Sequence, residues 1–544
     1  MAYVTLIKPP TVVNMSSLSF HNSLPPLGLA YISAVAKAAG HRVHVIDAPG
    51  EDIERYHPLR RGAITLYTHG LSLPEIVERI PAESNVVGIT NMFLHEWPLI
   101  KDLIAQIRER LPRALIVMGG ETPSAFWWQM MAESPGLDSC VIGEGEITFE
   151  ELLSAVDRGA PLSEVASLAY RDPTGKPVKS TATRKRIRDV EDIPRPDWEA
   201  FQVDAYLSRQ YSSGVKRGRS LPMISSRGCP YQCTFCSSPA MWTTRYVTRT
   251  PEHVADEIGD YVERYGISNV DFHDLTSMLT KKWIVRFCQV MEERGIQISW
   301  QLPSGTRCEA LDAEALDALY RSGCRNLSYS PESGSEEILK DIKKRVKLPV
   351  LMKSVRAAVE RGIVSNVNFI LGLPDENWDD IWQTYKLIVA LAMAGAHSTA
   401  VMVFSPYPGS ALFEQIHAAG KIELNDEFYF GSLLRSGRSA VSYNDRMSPD
   451  TLVAVQLGML ATFFGIQYAK HPQRLLRIAY NFVKNRKQET NMEQFLHTKW
   501  LYFKKQREAQ RQATTAATTD QPGPDANEPK KRRLPMVRDE QSAA

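Results

Sequence analysis

Cys229-Pro230-Tyr231-Gln232-Cys233-Thr234-Phe235-Cys236 places three thiols in a CxxxCxxC run. Three soft sulfur ligands so close together suit a metal centre, and they fill all but one iron corner of a [4Fe–4S] cube. The remaining iron is then open to a substrate or cofactor. An electron-transfer ferredoxin supplies four cysteines and a zinc ribbon supplies paired CxxC motifs, and this triplet does neither. Zinc stays an alternative that needs a fourth ligand from elsewhere in the chain. Buried, unreactive thiols are a third reading, and the spacing argues against it. Cys140, Cys288, Cys308 and Cys324 are scattered through hydrophobic or mixed segments and read as small buried hydrophobes. The chain has no disulfide-scaffold pattern, and Met1-Ala2-Tyr3 opens into a strand without a signal-peptide pattern. The expected compartment is the reducing cytoplasm, which suits an oxygen-sensitive cluster.

Such a loop needs a scaffold. From about residue 221 to 409, strand candidates at 221–225, 269–273, 297–301, 326–330, 364–371 and 398–405 alternate with helices. Thr250-Pro251-Glu252 marks a helix start before residues 254–265. Six βα-like repeats predict a partial barrel with its chemistry at the carboxyl ends of the strands. Residues 1–160 alternate strands at 3–7, 43–46, 86–90, 114–118 and 140–142 with helices at 27–39, 98–110 and 146–156. That order predicts a doubly wound α/β domain. Between the two lies a connector, residues 161–215. Its Asp192-Ile193-Pro194-Arg195-Pro196 segment reads as a stiff crossing, and its Arg184-Lys185-Arg186 run as a solvated basic patch. A helical region is expected over 410–505 and a disordered tail over 506–544.

The chain has 544 residues, enough for two or three domains, and an ordinary globular composition. Lys and Arg exceed Asp and Glu by two, so no global field favours nucleic acid or an acidic membrane. The short Lys530-Lys531-Arg532-Arg533 run does not assign a nucleic-acid partner. No uninterrupted apolar run reaches bilayer length, and no transmembrane segment is expected.

The cysteine spacing, with Phe235 directly before the last cysteine, resembles the radical S-adenosylmethionine (SAM) superfamily. Pro25-Pro26-Leu27-Gly28, Gly119-Gly120-Glu121 and Gly143-Glu144-Gly145-Glu146 together resemble the cobalamin-binding domain fused ahead of many of those enzymes. The resemblance implies cobalamin contacts from Pro26, Leu27, Gly28, Asn91, Gly119, Gly120, Glu121, Gly143, Gly145 and Glu146. A DxHxxG histidine motif is missing, as is common in this group, and His95 is a weak candidate for the lower cobalt face. The resemblance also makes Cys229, Cys233 and Cys236 the cluster ligands. It implies SAM contacts from Phe235, Asp274, Thr276, Glu332, Ser333 and Gly372, with helix capping as the competing role for Asp274 and Thr276. Arg245 and Tyr407 are candidates for the substrate pocket, and Arg249 is an ion-pair or substrate cation.

By the same resemblance, one SAM methylates cobalamin and a second yields a 5′-deoxyadenosyl radical. The implied reaction is C-methylation of an unactivated carbon in a biosynthetic intermediate through methylcobalamin. Oxidative cyclisation or ring rearrangement, including tetrapyrrole ring formation, is the enzymatic alternative, and a nonenzymatic cobalamin and cluster sensor is the other. The implied partners are a small, lipid-like or conjugated substrate and an electron donor such as flavodoxin or ferredoxin. The residues do not indicate which substrate is used.

Overall fold

Near-continuous Val, Ile and Leu at Tyr3–Lys8, Val86–Thr90 and Leu115–Gly119 make strands that are buried on both faces, which is the pattern of a parallel sheet covered by helices. A computed structural model describes residues 1–15, 23–62, 64–434, 440–484, 490, 492–497, 499 and 500. The expected disordered tail, 506–544, lies outside the described residues. Met1–Phe495 form one compact unit, and the second unit, Leu496–Ala544, is almost wholly outside the described residues.

In the first sheet Tyr3–Lys8 lies between Arg42–Asp47 and Val86–Thr90, followed outward by Leu115–Gly119 and Ser139–Val141, all parallel. This is the doubly wound order, with its switch point beside the first strand. Helices Leu27–Ala38, Trp97–Arg110 and Gly145–Arg158 stand where the sequence predicts them.

Several elements were not foreseen. The sheet continues past residue 160 through an antiparallel hairpin, Leu168–Arg171 and Pro177–Lys179, turned by an Asp172 carboxylate that accepts from Thr174 and Lys176 amides. A separate antiparallel sheet joins Thr11–Val13, Tyr56–Arg61 and Ile64–His69. Helix Glu121–Glu133 grows directly out of the Gly119-Gly120 turn and carries Trp127 and Trp128.

The second sheet contains Ser220–Met223, Asn269–Phe272, Ser299–Thr306, Cys324–Glu332, Val364–Leu371 and Ser398–Val403. All six are parallel and in sequence order, as a partial (β/α)6 barrel requires, and the two end strands do not pair with each other. The third strand begins two residues later than expected and runs to Thr306 through Pro303-Ser304-Gly305. These residues read as a turn, and the chain accommodates them as a bulged extension, with Gly305 at φ 111°. Thr250 caps helix Pro251–Tyr265 by accepting from the His253 amide.

The connector is packed, with Trp198 and Tyr206 fully buried. Asp197 pairs with Lys37 at 2.6 Å, and Tyr206 donates to Asp47 at 2.9 Å. Burial raises the Asp47 carboxyl to about 7 despite that hydrogen bond. At its far end Ser212 donates to Asp271 at 2.7 Å, tying the connector to the second sheet.

Among the described residues one helix, Pro449–Lys470, is long and apolar enough to cross a bilayer by length and composition, with glutamines interrupting its apolar run. In the fold it covers the edge of the second sheet. Leu452, Met459 and Phe463 are buried there, and Gln456 donates to the Val401 carbonyl at 2.6 Å. Helix Pro472–Val483 follows it.

Candidate active site

The loop that carries the three cysteines leaves the first strand of the second sheet. Its base is pinched by an antiparallel pair, Ser226 with Thr248 and Arg227 with Val247. Gly228 sits at φ 83°, where a Cβ would come within 2.1 Å of the Arg245 carbonyl oxygen, so only glycine closes the base. The Cys236 amide donates to the Cys233 carbonyl, and the Thr234 amide donates to the Ile342 carbonyl, both within 3.1 Å. All three thiols are partly exposed and unpaired. Burial pushes them up, while the Lys344 charge opposes this at Cys229 and Cys233, and Arg307 opposes it at Cys229. Among the described residues no three His, Cys, Asp or Glu side chains converge as a single-ion site. Three partly exposed thiols on one short loop, with one corner left unfilled, are the donor set that a four-iron cube takes.

Buried polar atoms with no hydrogen-bond partner stand on this loop, at Thr234 Oγ1, and beyond the neighbouring strands, at Ser277 Oγ and Thr306 Oγ1. Ser277 and Thr306 also form an isolated bridge between two strand ends. Orphaned hydroxyls cost free energy unless something bonds them, so this end of the sheet fits a polar ligand such as SAM. The motif reading missed Ser277 and Thr306, and their position beyond strand ends was the only available signal.

The expected SAM residues divide into two sets. Glu332 is held at φ 73°, with its carboxylate 2.9 Å from Lys344, and Lys344 lies 5.9 Å from the Phe235 ring. These three groups border the cysteine loop. Asp274 accepts instead from Ser225 N at 3.0 Å, Ser225 Oγ at 2.8 Å and Ser226 Oγ, so it anchors the approach to that loop. Burial raises its carboxyl and these bonds oppose the rise. Neither Asp274 nor Thr276 caps a helix, because the next helix starts at Lys281 under Thr280. Ser333 is fully buried against Thr384 at 3.2 Å. Gly372, at φ 75°, leaves room for Leu452, which would stand 2.5 Å from an added Cβ. The close approach expected there is made by a side chain of the C-terminal helix. Glu376 accepts from the Gly372 amide at 2.6 Å, and burial lifts its carboxyl to about 8.

Of the residues expected to contact cobalamin, Asn91, Gly119, Gly120, Glu121, Gly143, Gly145 and Glu146 lie at or beyond the carboxyl ends of three adjacent strands of the first sheet. Gly120, at φ 129°, has the Asn91 carbonyl oxygen 2.3 Å from any added Cβ. Asn91 is fully buried, and its side-chain Oδ1 is unpartnered. Beyond it Met92 and Phe93 are 41% and 54% exposed, a large apolar surface at the mouth of the sheet. An orphaned amide oxygen beside exposed apolar side chains fits a broad macrocycle with polar side groups. Pro26, Leu27 and Gly28 begin helix Leu27–Ala38, and space is open above Gly28. His95 bonds Ser432 at 3.0 Å and stacks on Phe93.

Two other cobalamin candidates hold the molecule together. Glu146 receives Arg227 at 2.6 Å; Glu144 receives Arg227 at 3.3 Å and Arg186 at 2.6 Å. All four groups are at least nine-tenths buried. Arg186 is therefore not part of a solvated run. Arg227 lies two residues before Cys229, so this network grips the cysteine loop from one side. Glu121 accepts from Ser237, next to Cys236, at 2.5 Å and grips it from the other. Gly143 and Gly145 supply the turn between, with Ile32 2.9 Å from an added Cβ at Gly145. Motif reading passed over Arg227 because one arginine before a glycine has no spacing signature.

The proposed substrate residues are less central. Arg245 is exposed and its carbonyl accepts from Arg186, and Arg249 is buried in an ion pair with Glu257. Tyr407 is half-buried in a turn whose Gly409 is wedged between Ala125 and Ala240.

Residues 223–388 match the model of the radical SAM superfamily, and residues 17–153 match the B12 binding domain. An uncharacterized methyltransferase of Pyrococcus horikoshii is 29% identical over 76% of this chain and 82% of its own. The cytidylyl-2-hydroxyethylphosphonate methyltransferase of Streptomyces wedmorensis is 26% identical over 77% of this chain and 83% of its own. The anaerobic magnesium-protoporphyrin IX monomethyl ester cyclase of Rubrivivax gelatinosus is 26% identical over 74% and 68%. The fold is similar to the radical SAM methyltransferase TsrM from Kitasatospora setae, solved with tryptophan and a SAM analogue, at TM-score 0.60 and 18% identity over 86% and 89% of the chains. With its cysteine triplet behind a doubly wound B12-binding domain, the chain carries the domain pair of the radical SAM enzymes that bind cobalamin, and the cofactors that go with those domains are a [4Fe–4S] cluster, SAM and cobalamin.

Proposed function

We propose that this enzyme is a C-methyltransferase that adds a methyl group to an unactivated carbon of a small biosynthetic intermediate. The observation that carries the reading is a pair of grips, the buried one of Glu144 and Glu146 on Arg227 and the part-buried one of Glu121 on Ser237, which join the B12-binding loops to both ends of the cysteine loop. Methyl transfer to a carbon radical needs the two cofactor faces to address one substrate, and a fixed separation serves that purpose. When bound, cobalamin would supply the methyl group, and the cluster with SAM would supply the hydrogen-abstracting radical.

The chain's own residues bind and orient. Cys229, Cys233 and Cys236 hold three irons. Thr234, Ser277 and Thr306 donate to or accept from polar groups of SAM, and Lys344 fixes Glu332 beside it. Asn91 and the Gly119-Gly120 turn would hold the macrocycle, and Met92 and Phe93 would offer it apolar surface. Asp274, Ser333 and Gly372 are assigned to holding loops and helices in place. The methyltransferases among the relatives support this reading, and the cyclase relative supports a second one, oxidative ring closure with the same cofactors. In that case the substrate ends as its own dehydrogenated product.

Anaerobic turnover of the reconstituted enzyme with methyl-labelled SAM and candidate substrates separates the two. Labelled methyl in the product together with 5′-deoxyadenosine is the expected result. Deoxyadenosine with an unlabelled, dehydrogenated product moves the enzyme to the cyclase reading.

A further inference from the structure

The segment 340–347, Lys-Asp-Ile-Lys-Lys-Arg-Val-Lys, carries five cations against the single carboxylate of Asp341. Lys344 faces inward to Glu332, whereas Lys340, Lys343, Arg345 and Lys347 are exposed. None of these four side chains is in an ion pair among the described residues. They surround an open groove of about 650 Å³, with Leu348 and Pro349 contributing apolar wall and Glu336 at its margin. The segment touches the cysteine loop directly: the Ile342 carbonyl accepts from the Thr234 amide at 3.0 Å, and the Lys343 carbonyl lies 4.0 Å from Cys233 Sγ at an exposed contact. Lys343, at φ 55°, takes the left-handed turn that brings its carbonyl there.

We infer that this basic groove is the docking surface for a small acidic one-electron carrier protein, which delivers its electron to the cluster on the cysteine loop. The inference rests on the radical SAM reading of that loop. The chain as a whole is nearly neutral, so the concentration of unpaired cations on one segment is a local field, and such a field steers an oppositely charged partner. An apolar floor rimmed by charge is also the usual composition of a protein contact. Elsewhere along the loop Arg227 and Arg186 are engaged with Glu144 and Glu146 and Arg249 with Glu257, which leaves Arg245 as a lone exposed cation rather than a cluster. The balance is one electron leaving the reduced carrier and one entering the oxidised cluster, with no proton or group transferred.

The test uses the full-length reconstituted enzyme and a reduced flavodoxin as the probe. Binding is followed by anisotropy of labelled flavodoxin across a salt series, and electron entry is followed by anaerobic stopped-flow absorbance. Lys340→Glu/Arg345→Glu/Lys347→Glu is expected to weaken binding at least about tenfold at low salt and to flatten its salt dependence. Electron entry from flavodoxin slows in parallel, while SAM cleavage driven by dithionite stays at the parent rate. Lys340→Gln/Lys347→Gln, which reverses no charge, is expected to give a smaller loss of about threefold. Unchanged flavodoxin binding and electron entry in either iron-replete variant overturns the inference. If the parent enzyme fails to cleave SAM with dithionite, the radical SAM reading is at fault, and the binding series still decides whether the groove holds an acidic carrier.

Discussion

The mouth of the first sheet and the mouth of the second hold their conspicuous residues in opposite ways. On the first, Asn91, singled out from sequence, keeps an unpartnered oxygen, and Met92 and Phe93 stand exposed beyond it. On the second, Asp274, Ser333 and Gly372 are already engaged with Ser225, Thr384 and Leu452, and the unpartnered atoms belong to Thr234, Ser277 and Thr306. A family motif thus marks both the groups that face a ligand and the groups that hold those facing it. Hydrogen-bond accounting tells the two apart.

The comparison can be tested by mutation, starting with the largest effect. Replacing Cys229, Cys233 or Cys236 by Ala is expected to abolish cluster assembly and SAM cleavage, measured by bound iron and 5′-deoxyadenosine. Iron-dependent cleavage retained in all three variants would sink the assignment. Next comes the grip between the sheets. Arg227→Ala leaves Glu146 buried without its cation and Glu144 with Arg186 alone, a loss of about 3–5 kcal/mol read from denaturant unfolding. Gly372→Ala combines a left-handed backbone with a clash on Leu452, for a loss of about 1–3 kcal/mol in the same assay.

Thr306→Val sharpens the contrast without disturbing the fold. An unpartnered hydroxyl that meets SAM should give up to about tenfold weaker SAM binding in equilibrium dialysis, with stability unchanged or improved. Ser333→Ala, its counterpart in the engaged set, should lower stability and leave SAM affinity as it was. The smallest effect is in pH dependence. The Glu376 carboxyl is raised to about 8 by burial, so the unfolded chain releases this proton at lower pH than the fold does. Its contribution to stability is greatest below the ordinary carboxyl range and falls as the pH rises to about 8. Glu376→Gln should remove that slope from a series of melting temperatures, and an unchanged slope would place the titration elsewhere.

The sequence by itself determined the parallel strands of both sheets, several of the helices and the cysteine loop, because these depend on short-range chemistry. Strands such as Val86–Thr90 and Leu115–Gly119 are nearly continuous apolar runs, and three thiols in one loop need no distant partner to be conspicuous. Features with ambiguous local letters were not legible. Pro303-Ser304-Gly305 spells a turn yet extends a strand, and Glu121-Thr122-Pro123 spells a loop yet opens a helix. Arg186 sat in a run that reads as solvated until Glu144, 42 residues earlier, is folded onto it. Only the tertiary structure decided that Arg227 ties the two sheets, that Leu452 rather than a cofactor crowds Gly372, and which hydroxyls are left unbonded. Each of these is a relation between residues far apart in the chain, and a buried polar atom acquires or lacks a partner only when the chain has closed around it.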